Sequence, residues 1–392
     1  MKDLNIDLKE RKRKHLYRSR RIVDGPQQPE MVIDGKKVVS FCSNDYLGLA
    51  NDPEVKFAFI EGVKKYGSGS GSAHLVNGHF TVHHALEEEL AEFTGHARAL
   101  LFSTGYMANL GIAQALVGKG DSIFQDRLNH ASLIDGGLLS GAQLKRYAHN
   151  NPFDLEHKLG STKKGDKLIL TDSVFSMDGD IANLPYLTEL SKNHDAWLMV
   201  DDAHGFGVLG ENGKGAFEHF NLPKDSSPLY MATLGKALGT SGAFVAGSEV
   251  LIETIIQKAR TYIYTTATPP SIAEATRASL NLIRNNPSFR EKLNENIAYF
   301  KTCCEQAGLQ SNKSQTAIQP FIIGDDEKAL LISERLFNQG ILVSAIRPPT
   351  VPKGTARLRI TLSAAHSHYQ IDQLVSALAT EVNKLKYFKD AI

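Results

Sequence analysis

The sequence predicts an α/β protein with a large central domain built on a mostly parallel sheet, a smaller C-terminal α+β domain and an N-terminal arm. Short apolar runs alternate with helix-like segments between residues 43 and 284, which is typical of a parallel sheet covered by helices on both faces. The turn-like residues 285–287 (NNP) then follow a helical stretch and precede three further strand-like runs. We therefore predict an arm over residues 1–42, a large domain over 43–285 and a small domain over 286–392.

The arm begins with a basic helical segment, followed by the turn-rich residues 24–26 and by strand-like pieces at 31–33 and 38–40. Eight lysines or arginines fall between Lys9 and Arg21. A solvated helix face explains such a run most simply. The alternative is that one of these arginines contacts an anionic substrate.

Five apolar runs predict the strands of the large domain, at residues 99–102, 122–124, 167–170, 197–200 and 242–246. A helix is predicted over residues 271–284. In the small domain, strands are predicted at residues 317–323, 341–345 and 356–362, with helices between them.

Charge and cysteine content limit the classes of partner. The 392 residues carry 44 Lys+Arg and 43 Asp+Glu, a net charge of +1, so no overall field attracts nucleic acid or a membrane surface. Cys42, Cys303 and Cys304 form neither an even disulfide framework nor a CxxC motif, which suits a reducing cytoplasm. The charged N-terminus lacks the apolar core of a signal peptide. Polar residues interrupt the longest uncharged stretch, residues 99–117, so no membrane span is predicted.

Lys236 lies in a loop of small and glycine residues, residues 231–242 (MATLGKALGTSG). Most lysines are solvated surface residues. A lysine that forms an imine, however, needs a lowered pKa and a closely held cofactor. The surrounding glycines and Thr233 can provide tight packing and a phosphate contact.

Asp201 and Asp202 follow the apolar run at 197–200 and precede His204, at the strand end where α/β sheets bind ligands. Asp201 could pair with the pyridinium nitrogen of pyridoxal 5′-phosphate (PLP). The alternative is that this acidic pair caps a helix. No second cluster completes a metal-ligand set around Asp-Asp-x-His, so no metal site is predicted.

Residues 101–109 (LFSTGYMAN) predict a strand that leads into a helix, a position that can bind phosphate through free N–H groups. An ordinary strand-to-helix turn is the alternative. Residues 66–72 (YGSGSGS) are not a dinucleotide-binding motif, because Ser72 replaces the third glycine and the segment follows a helix-like stretch. We interpret them as a flexible loop near the active site. The sequence contains neither a phosphate-binding P-loop nor a GxSxG nucleophile motif.

Five motifs in this order resemble those of the α-oxoamine synthases: residues 43–49 (SNDYLGL), 129–133 (NHASL), 175–180 (FSMDGD), 201–205 (DDAHG) and 233–236 (TLGK). The resemblance covers nearly the whole chain. These synthases are PLP enzymes of the aspartate-aminotransferase fold (fold type I), which join an amino acid to an acyl thioester and release carbon dioxide.

The resemblance implies a role for each matching residue. Lys236 would form the imine, Asp201 would pair with the pyridine nitrogen and His130 would stack on the ring, and these three make up the predicted catalytic set. The other implied cofactor contacts are Gly105, Tyr106, Ser176, His204 and Thr233, with Thr265 and Thr266 reaching the phosphate of a neighbouring subunit in a homodimer. The implied substrate contacts are His130, Asn44 and Arg347 for the amino acid, and Arg18 and Thr350 for the acyl group.

Residues 344–352 (SAIRPPTVP) and 354–359 (GTARLR) resemble the family member that condenses L-alanine with a pimeloyl thioester, carried by coenzyme A or acyl carrier protein, in biotin biosynthesis. Other members, such as glycine C-acetyltransferase, 5-aminolevulinate synthase and serine palmitoyltransferase, are alternatives. A catalytically silent PLP-binding regulator is an alternative of another class. Taken alone, His130 could be a structural histidine and Arg347 a surface residue. Phe206 and Asp172 depart from the family pattern and could alter the shape of the pocket.

Overall fold

The computed structural model of the chain describes residues 3–14, 16–223, 229–310 and 312–387. The chain divides into two units by internal packing. The sheet unit comprises residues 49–176 and 181–290, and the terminal unit comprises residues 1–48, 177–180 and 291–392. The predicted domain boundaries at 42/43 and 285/286 stay a prediction.

A seven-stranded sheet forms the centre of the sheet unit, in the order β4-β10-β9-β8-β7-β5-β6. Strand β10 is antiparallel to both of its neighbours, and the other neighbouring pairs are parallel. The predicted α/β fold with a mostly parallel sheet is confirmed. Its strands are β4 (Arg98–Phe102), β5 (Ser122–Asp126), β6 (Gln143–Tyr147), β7 (Lys167–Asp172), β8 (Trp197–Asp201), β9 (Leu229–Thr233) and β10 (Ala243–Gly247).

Both faces of this sheet are buried, which explains why its strands are continuous apolar runs. Leu168 and Leu170 of β7 pack into one hydrophobic cluster, whereas Ile169 packs into a second one. In β8, Met199 joins the first cluster and Leu198 the second. Because successive side chains of a strand point to opposite faces, a strand covered on both sides needs apolar residues at consecutive positions.

Two strands of the sheet were not predicted. Strand β6 (Gln143–Tyr147) is largely polar and lies at the edge of the sheet, so it lacks the apolar run that marked the others. Strand β9 (Leu229–Thr233) occupies residues that we assigned to the loop around Lys236. That assignment was wrong for residues 231–233, which are paired with β10 and largely buried.

Helices surround the sheet, and those that position the site begin directly after its strands. The helices of the unit are α2 (Pro53–Tyr66), α3 (Thr81–Thr94), α4 (Gly105–Leu116), α5 (Ala131–Ser140), α6 (Pro152–Ser161), α7 (Leu184–Asn193), α8 (Ala216–His219), α9 (Glu249–Lys258), α10 (Arg260–Ile263) and α11 (Pro270–Asn285), with short helical turns at Leu49–Asn51 and His74–Gly78. The predicted helix at 271–284 corresponds to α11.

The terminal unit contains two small sheets. One has the order β1-β2-β3-β12, and the other has the order β11-β14-β13. The first joins the N-terminal arm to a C-terminal strand through the parallel pair β3 and β12. Its elements are α1 (Leu4–Arg13), β1 (Val23–Asp24), β2 (Glu30–Ile33), β3 (Lys36–Ser40), most of α12 (Ser288–Gln306), β11 (Ile318–Gly324), α13 (Asp326–Asn338), β12 (Ile341–Leu342), β13 (Ser344–Ile346), β14 (Ala356–Thr361) and α14 (His368–Tyr387).

Within the described residues, every helix is too short or too polar to cross a lipid bilayer.

Candidate active site

Asp201 is the last residue of β8 and is buried in the sheet unit. Its Oδ2 accepts a hydrogen bond from the side-chain amide of Asn109 at 2.7 Å, and its Oδ1 accepts one from the backbone N–H of Ala203 at 3.0 Å. Each carboxylate oxygen therefore has its own N–H donor, and the carboxylate is held in one orientation.

Asn109 also links Asp201 to His130. The same amide nitrogen of Asn109 donates to Ser132 Oγ at 2.8 Å, and Ser132 Oγ lies 2.7 Å from His130 Nδ1. Asn109 was not predicted from the sequence as a site residue. The available signal was a lone asparagine in the otherwise apolar stretch of α4, since a buried amide needs hydrogen-bonding partners.

His130 is the N-cap of α5, where its side chain accepts a hydrogen bond from the backbone N–H of Ser132. Its own backbone N–H donates to Asp172 Oδ2 at 2.7 Å. Burial lowers the pKa of His130, although the negative charge of Asp201 opposes this effect. His130 thus caps a helix in addition to lying beside Ser132 and Asn109. Asp172 contributes to the site by accepting the hydrogen bond of the His130 backbone N–H.

Asp202 has the structural role that we considered for the acidic pair. Its Oδ2 accepts from the backbone N–H of Ala216, the first residue of α8, at 2.9 Å and from the Tyr230 hydroxyl at 2.7 Å. Its Oδ1 accepts from the Ser173 hydroxyl. Burial raises the pKa of Asp202 to about 6, although these hydrogen bonds oppose the shift. The two neighbouring carboxylates therefore have different roles. Asp202 holds the start of α8 in place, which leaves Asp201 as the carboxylate of the candidate site.

Lys236 lies in a tight turn that follows β9. Its Nζ is 2.8 Å from His204 Nε2, and its carbonyl accepts a hydrogen bond from the backbone N–H of Gly239 at 2.9 Å. Gly239 has a positive φ of 67°, and a side chain there would collide with the backbone of Leu49 and Ala50. The turn therefore requires glycine at this position.

Gly105 and Tyr106 are the first two residues of α4, after the N-cap Thr104. The first N–H groups of a helix have no partner within the helix, and they carry the positive end of its dipole. The Tyr106 hydroxyl donates to Asp135 Oδ2. A helix start of this kind can bind an anion through the N–H groups of its first residues.

The remaining predicted cofactor contacts of the sheet unit lie at the end of β9 and in the segments after β7 and α10. The Thr233 hydroxyl donates to the Gly242 carbonyl at 3.0 Å, so it closes the turn around Lys236. Ser176 is half-buried in the segment after β7. Thr265 is half-buried and Thr266 is exposed, in the segment that follows α10.

Asn44, a predicted substrate contact, lies in the terminal unit. Its Oδ1 accepts a hydrogen bond from Arg359 Nη2 at 3.2 Å and lies 3.4 Å from the Tyr46 hydroxyl. Arg359 is buried in β14 and also donates to Thr361 Oγ1 at 3.1 Å. We did not predict Arg359, because Arg357 and Arg359 alternate along the strand and share a face, so their spacing does not show which of them contacts Asn44.

Arg18 and Arg347 also belong to the terminal unit, and they are close enough to interact. Burial lowers the pKa of Arg347. The negative charge of Asp326 opposes this shift, whereas the positive charge of Arg18 adds to it. Thr350 is exposed, and its backbone N–H donates to the Arg347 carbonyl at 3.1 Å. Arg18 and Arg347 thus influence each other electrostatically, and Thr350 belongs to the same turn as Arg347.

Phe206, one of the departures from the family pattern, is only 1% exposed. Its ring packs against Phe93, Tyr230 and Phe244, with ring centroids 5.0 to 6.3 Å apart. It belongs to an aromatic cluster in the protein core.

Comparison with known proteins identifies the family that has this architecture. The aminotransferase class I and II family matches residues 36–378. An 8-amino-7-oxononanoate synthase from Thioalkalivibrio sulfidiphilus is 59% identical over 379 residues, which cover 96% of this chain and 97% of that protein.

Two solved structures give the same result. A serine palmitoyltransferase with PLP superimposes with a TM-score of 0.92 at 31% identity, covering 98% of this chain and 97% of its own. The 8-amino-7-oxononanoate synthase from Francisella tularensis superimposes with a TM-score of 0.77 at 36% identity, covering 89% of this chain and 99% of its own.

A lysine after one strand and a buried carboxylate at the end of its neighbour, on this fold, define a PLP-dependent enzyme of the aminotransferase class I and II family. Within that class, the chain belongs to the 8-amino-7-oxononanoate synthases. The family resemblance and fold type I, both inferred from the motifs, are confirmed.

The described residues fit this cofactor. Asp201 offers an oriented carboxylate for a ring nitrogen, Lys236 offers an amine, and the start of α4 offers N–H groups for a phosphate. All three belong to the sheet unit.

Proposed function

We propose that the chain catalyses the decarboxylative condensation of L-alanine with a pimeloyl thioester. The products are 8-amino-7-oxononanoate, carbon dioxide and the free thiol of coenzyme A or acyl carrier protein, in biotin biosynthesis. The observation that carries this proposal is the identity of 59% over 96% of the chain to a relative that bears this name. The serine palmitoyltransferase, at 31% identity, shares the fold but is far more distant in sequence.

PLP, when bound, supplies an electron sink that stabilises negative charge at the α-carbon of the amino acid. We propose that Lys236 holds PLP through its amine, that Asp201 contacts the ring nitrogen and that the first turn of α4 binds the phosphate. His130, Ser176, His204 and Thr233 complete the proposed set of cofactor contacts. Because burial lowers the pKa of His130, a neutral ring at this position suits stacking on an aromatic cofactor.

Lys236 has a second proposed role, as the base that removes the α-proton of alanine. The amine lies beside His204, at 2.8 Å, so its proton has a neighbouring acceptor when the imidazole is neutral. Asp201, held by Asn109 and Ala203, keeps one orientation while this proton moves.

Substrate binding is proposed for the terminal unit. Arg347 and Asn44 would bind the alanine carboxylate, since an arginine can contact both oxygens of a carboxylate and so orient the bond that breaks. Arg18 and Thr350 would contact the acyl donor. The electrostatic effect of Arg18 on Arg347 supports a shared anion-binding region.

We also propose a cytoplasmic homodimer, in which Thr265 and Thr266 reach the phosphate of the partner's cofactor. Their position in a partly exposed segment after α10 supports this assignment. Sedimentation equilibrium of the cofactor-loaded protein would measure the mass. A monomer that retains full turnover would contradict the homodimer.

Turnover of matched substrate pairs tests the proposed reaction. The pairs are L-alanine with pimeloyl-CoA, glycine with acetyl-CoA and L-serine with palmitoyl-CoA, with mass spectrometry of each product. We expect the highest kcat/KM for alanine with pimeloyl-CoA. A higher value for either other pair would assign the chain to a sister activity, and PLP binding without any turnover would favour the silent regulator.

A further inference from the structure

Three potential metal ligands converge away from the residues assigned to catalysis, where the chain enters α3. They are His79, His84 and Glu87, and the ligating atom that each can offer lies within 4.8 Å of the other two. All three side chains line one cavity of about 430 Å³. No metal site was predicted from the sequence, where the metal ligands considered were those of the Asp-Asp-x-His segment.

Glu87 is the least exposed member of this group. Its side chain is 12% exposed, and its Oε1 accepts a hydrogen bond from the backbone N–H of Leu101 at 2.9 Å. Its Oε2 lies 3.9 Å from His79 Nε2, which is too far for a hydrogen bond. Among the described residues, no lysine or arginine nitrogen lies within 4 Å of this carboxylate. The positive charge of Arg98, which pairs with Glu253, only partly offsets the cost of burying this carboxylate, and a bound cation would reduce that cost further.

His79 is oriented for coordination by a second histidine. Its Nδ1 lies 2.9 Å from His74 Nδ1, and His74 is stacked on Tyr262. When His79 donates this hydrogen bond, its Nε2 carries a lone pair that faces Glu87. Histidines that bind metals commonly donate their other N–H in this way, and ligating carboxylates are commonly hydrogen-bonded as Glu87 is by Leu101.

His84 supplies an adjustable third ligand. Its side chain is exposed, and its Nε2 lies 3.5 Å from the exposed Glu88, a contact that contributes little to stability. A tetrahedral ion with bonds of about 2.1 Å separates its ligands by roughly 3.4 Å, so the group must contract by up to about 1.4 Å. Rotation of the exposed His84 side chain can provide this movement.

His83, although nearby, is not available in the same way. Its Nδ1 accepts from the backbone N–H of Phe80 at 3.1 Å, and its Nε2 lies 2.9 Å from the Thr268 carbonyl. Both ring nitrogens are therefore engaged, which argues against the triple histidine group of His74, His79 and His83.

We propose that His79, His84 and Glu87 form a binding site for one divalent transition-metal ion such as Zn²⁺, with further positions of the ion open to the cavity. Two imidazoles and one carboxylate match the ligand preference of zinc, cobalt and nickel, and not that of calcium or magnesium. The ion would join the His74–Gly78 turn to α3.

The test uses the cofactor-loaded full chain without a histidine tag, first dialysed against a chelator and then against plain buffer. Zn²⁺ binding is measured by calorimetry, and Co²⁺ binding by the visible absorbance of the metal. The variants are His84→Gln, which changes an exposed residue, and Glu87→Gln, which keeps an acceptor for Leu101 N–H. The control is His157→Gln, an exposed histidine of α6.

We expect one equivalent of metal per chain, at least about tenfold weaker binding in each site variant and unchanged binding in the control. Zinc should also raise the thermal unfolding midpoint of the parent chain and of His157→Gln, but not that of His84→Gln. Equal affinity in the parent and in both site variants would place the metal elsewhere and overturn the proposal. The absence of saturable binding below millimolar metal would overturn it as well.

Discussion

The side-chain amide of Asn109 donates one hydrogen bond to Asp201 Oδ2 at 2.7 Å and another to Ser132 Oγ at 2.8 Å. Asn109 is 2% exposed and belongs to α4, whereas Asp201 ends β8. A hydrogen bond to a buried carboxylate is stronger than one between neutral groups. We therefore regard Asn109 as the residue that positions Asp201.

Replacing Asn109 tests this role. Loss of a hydrogen bond to a charged group costs about 1.5 to 3 kcal/mol, so Asn109→Ala should lower kcat by roughly ten- to a hundredfold. Asn109→Asp has the same shape but replaces the donor by an oxygen, and it should be at least as impaired as Asn109→Ala. Steady-state kinetics and the visible absorbance of bound cofactor measure both. An Asn109→Asp enzyme that is clearly more active than Asn109→Ala would mean that Asn109 only fills space.

Lys236→Ala should abolish turnover, because it removes the amine that lies beside His204 and that we assign to both the imine and the base. It should also remove the cofactor linkage that borohydride reduces to a stable bond. The measurement is mass spectrometry after reduction, together with an activity assay. Lys192→Ala, at an exposed position of α7, is the control and should retain both properties. A reduced adduct in the Lys236 variant would refute the assignment.

Arg18→Ala should weaken use of the acyl donor and leave alanine binding nearly unchanged. A charge-assisted contact is worth on the order of 1.5 to 3 kcal/mol, or about a ten- to hundredfold rise in KM for pimeloyl-CoA. Arg347→Ala should show the opposite pattern, with the larger effect on alanine. Arg20→Ala, an exposed neighbour on the arm, is the control.

Separate titrations with alanine and with pimeloyl-CoA distinguish the possible results for Arg18. Equal weakening of both substrates would mean that the arm supports the whole site. An unchanged KM for pimeloyl-CoA would mean that Arg18 belongs to a solvated basic helix face, the alternative that the sequence also allowed.

His366 should make the stability of the chain depend on pH. Burial lowers its pKa to about 4, and its Nδ1 accepts from the Ser363 backbone N–H at 2.9 Å while its Nε2 lies 3.0 Å from the Ser40 carbonyl. Because the folded pKa lies below the unfolded value of 6.5, the neutral ring contributes stability above pH 6.5. That contribution is lost as the pH falls towards 4.

Urea unfolding at pH 7 and pH 4.5 measures this loss. For the His366→Gln chain, the decrease in unfolding free energy between these pH values should be smaller than for the parent, by about 2 to 3 kcal/mol. His157→Gln, at an exposed position, should behave as the parent does. An unchanged pH dependence in His366→Gln would show that other groups dominate acid unfolding.

The sequence by itself determined the fold class, the family and five of the seven strands of the large sheet, because these depend on local patterns. Apolar residues at consecutive positions indicate strands buried on both faces, and β7 and β8 have this pattern. The turn around Lys236 was likewise recognisable from its glycines, since Gly239 adopts a positive φ. Strand β6 escaped prediction because an edge strand needs no apolar run.

Only the tertiary structure decided which side chains meet. Asn109 and Asp201 are 92 positions apart, and Asn44 and Arg359 are 315 apart. Neither pair follows from helical or strand periodicity, which relates residues only a few positions apart. Each pair joins a strand residue to a residue of a helix or loop, so the packing of these segments against the sheets brings the pairs together, as it brings Glu87 of α3 to the backbone N–H of Leu101 in β4. Hydrogen bonds act over about 3 Å, so such pairing depends on coordinates and not on spacing along the chain.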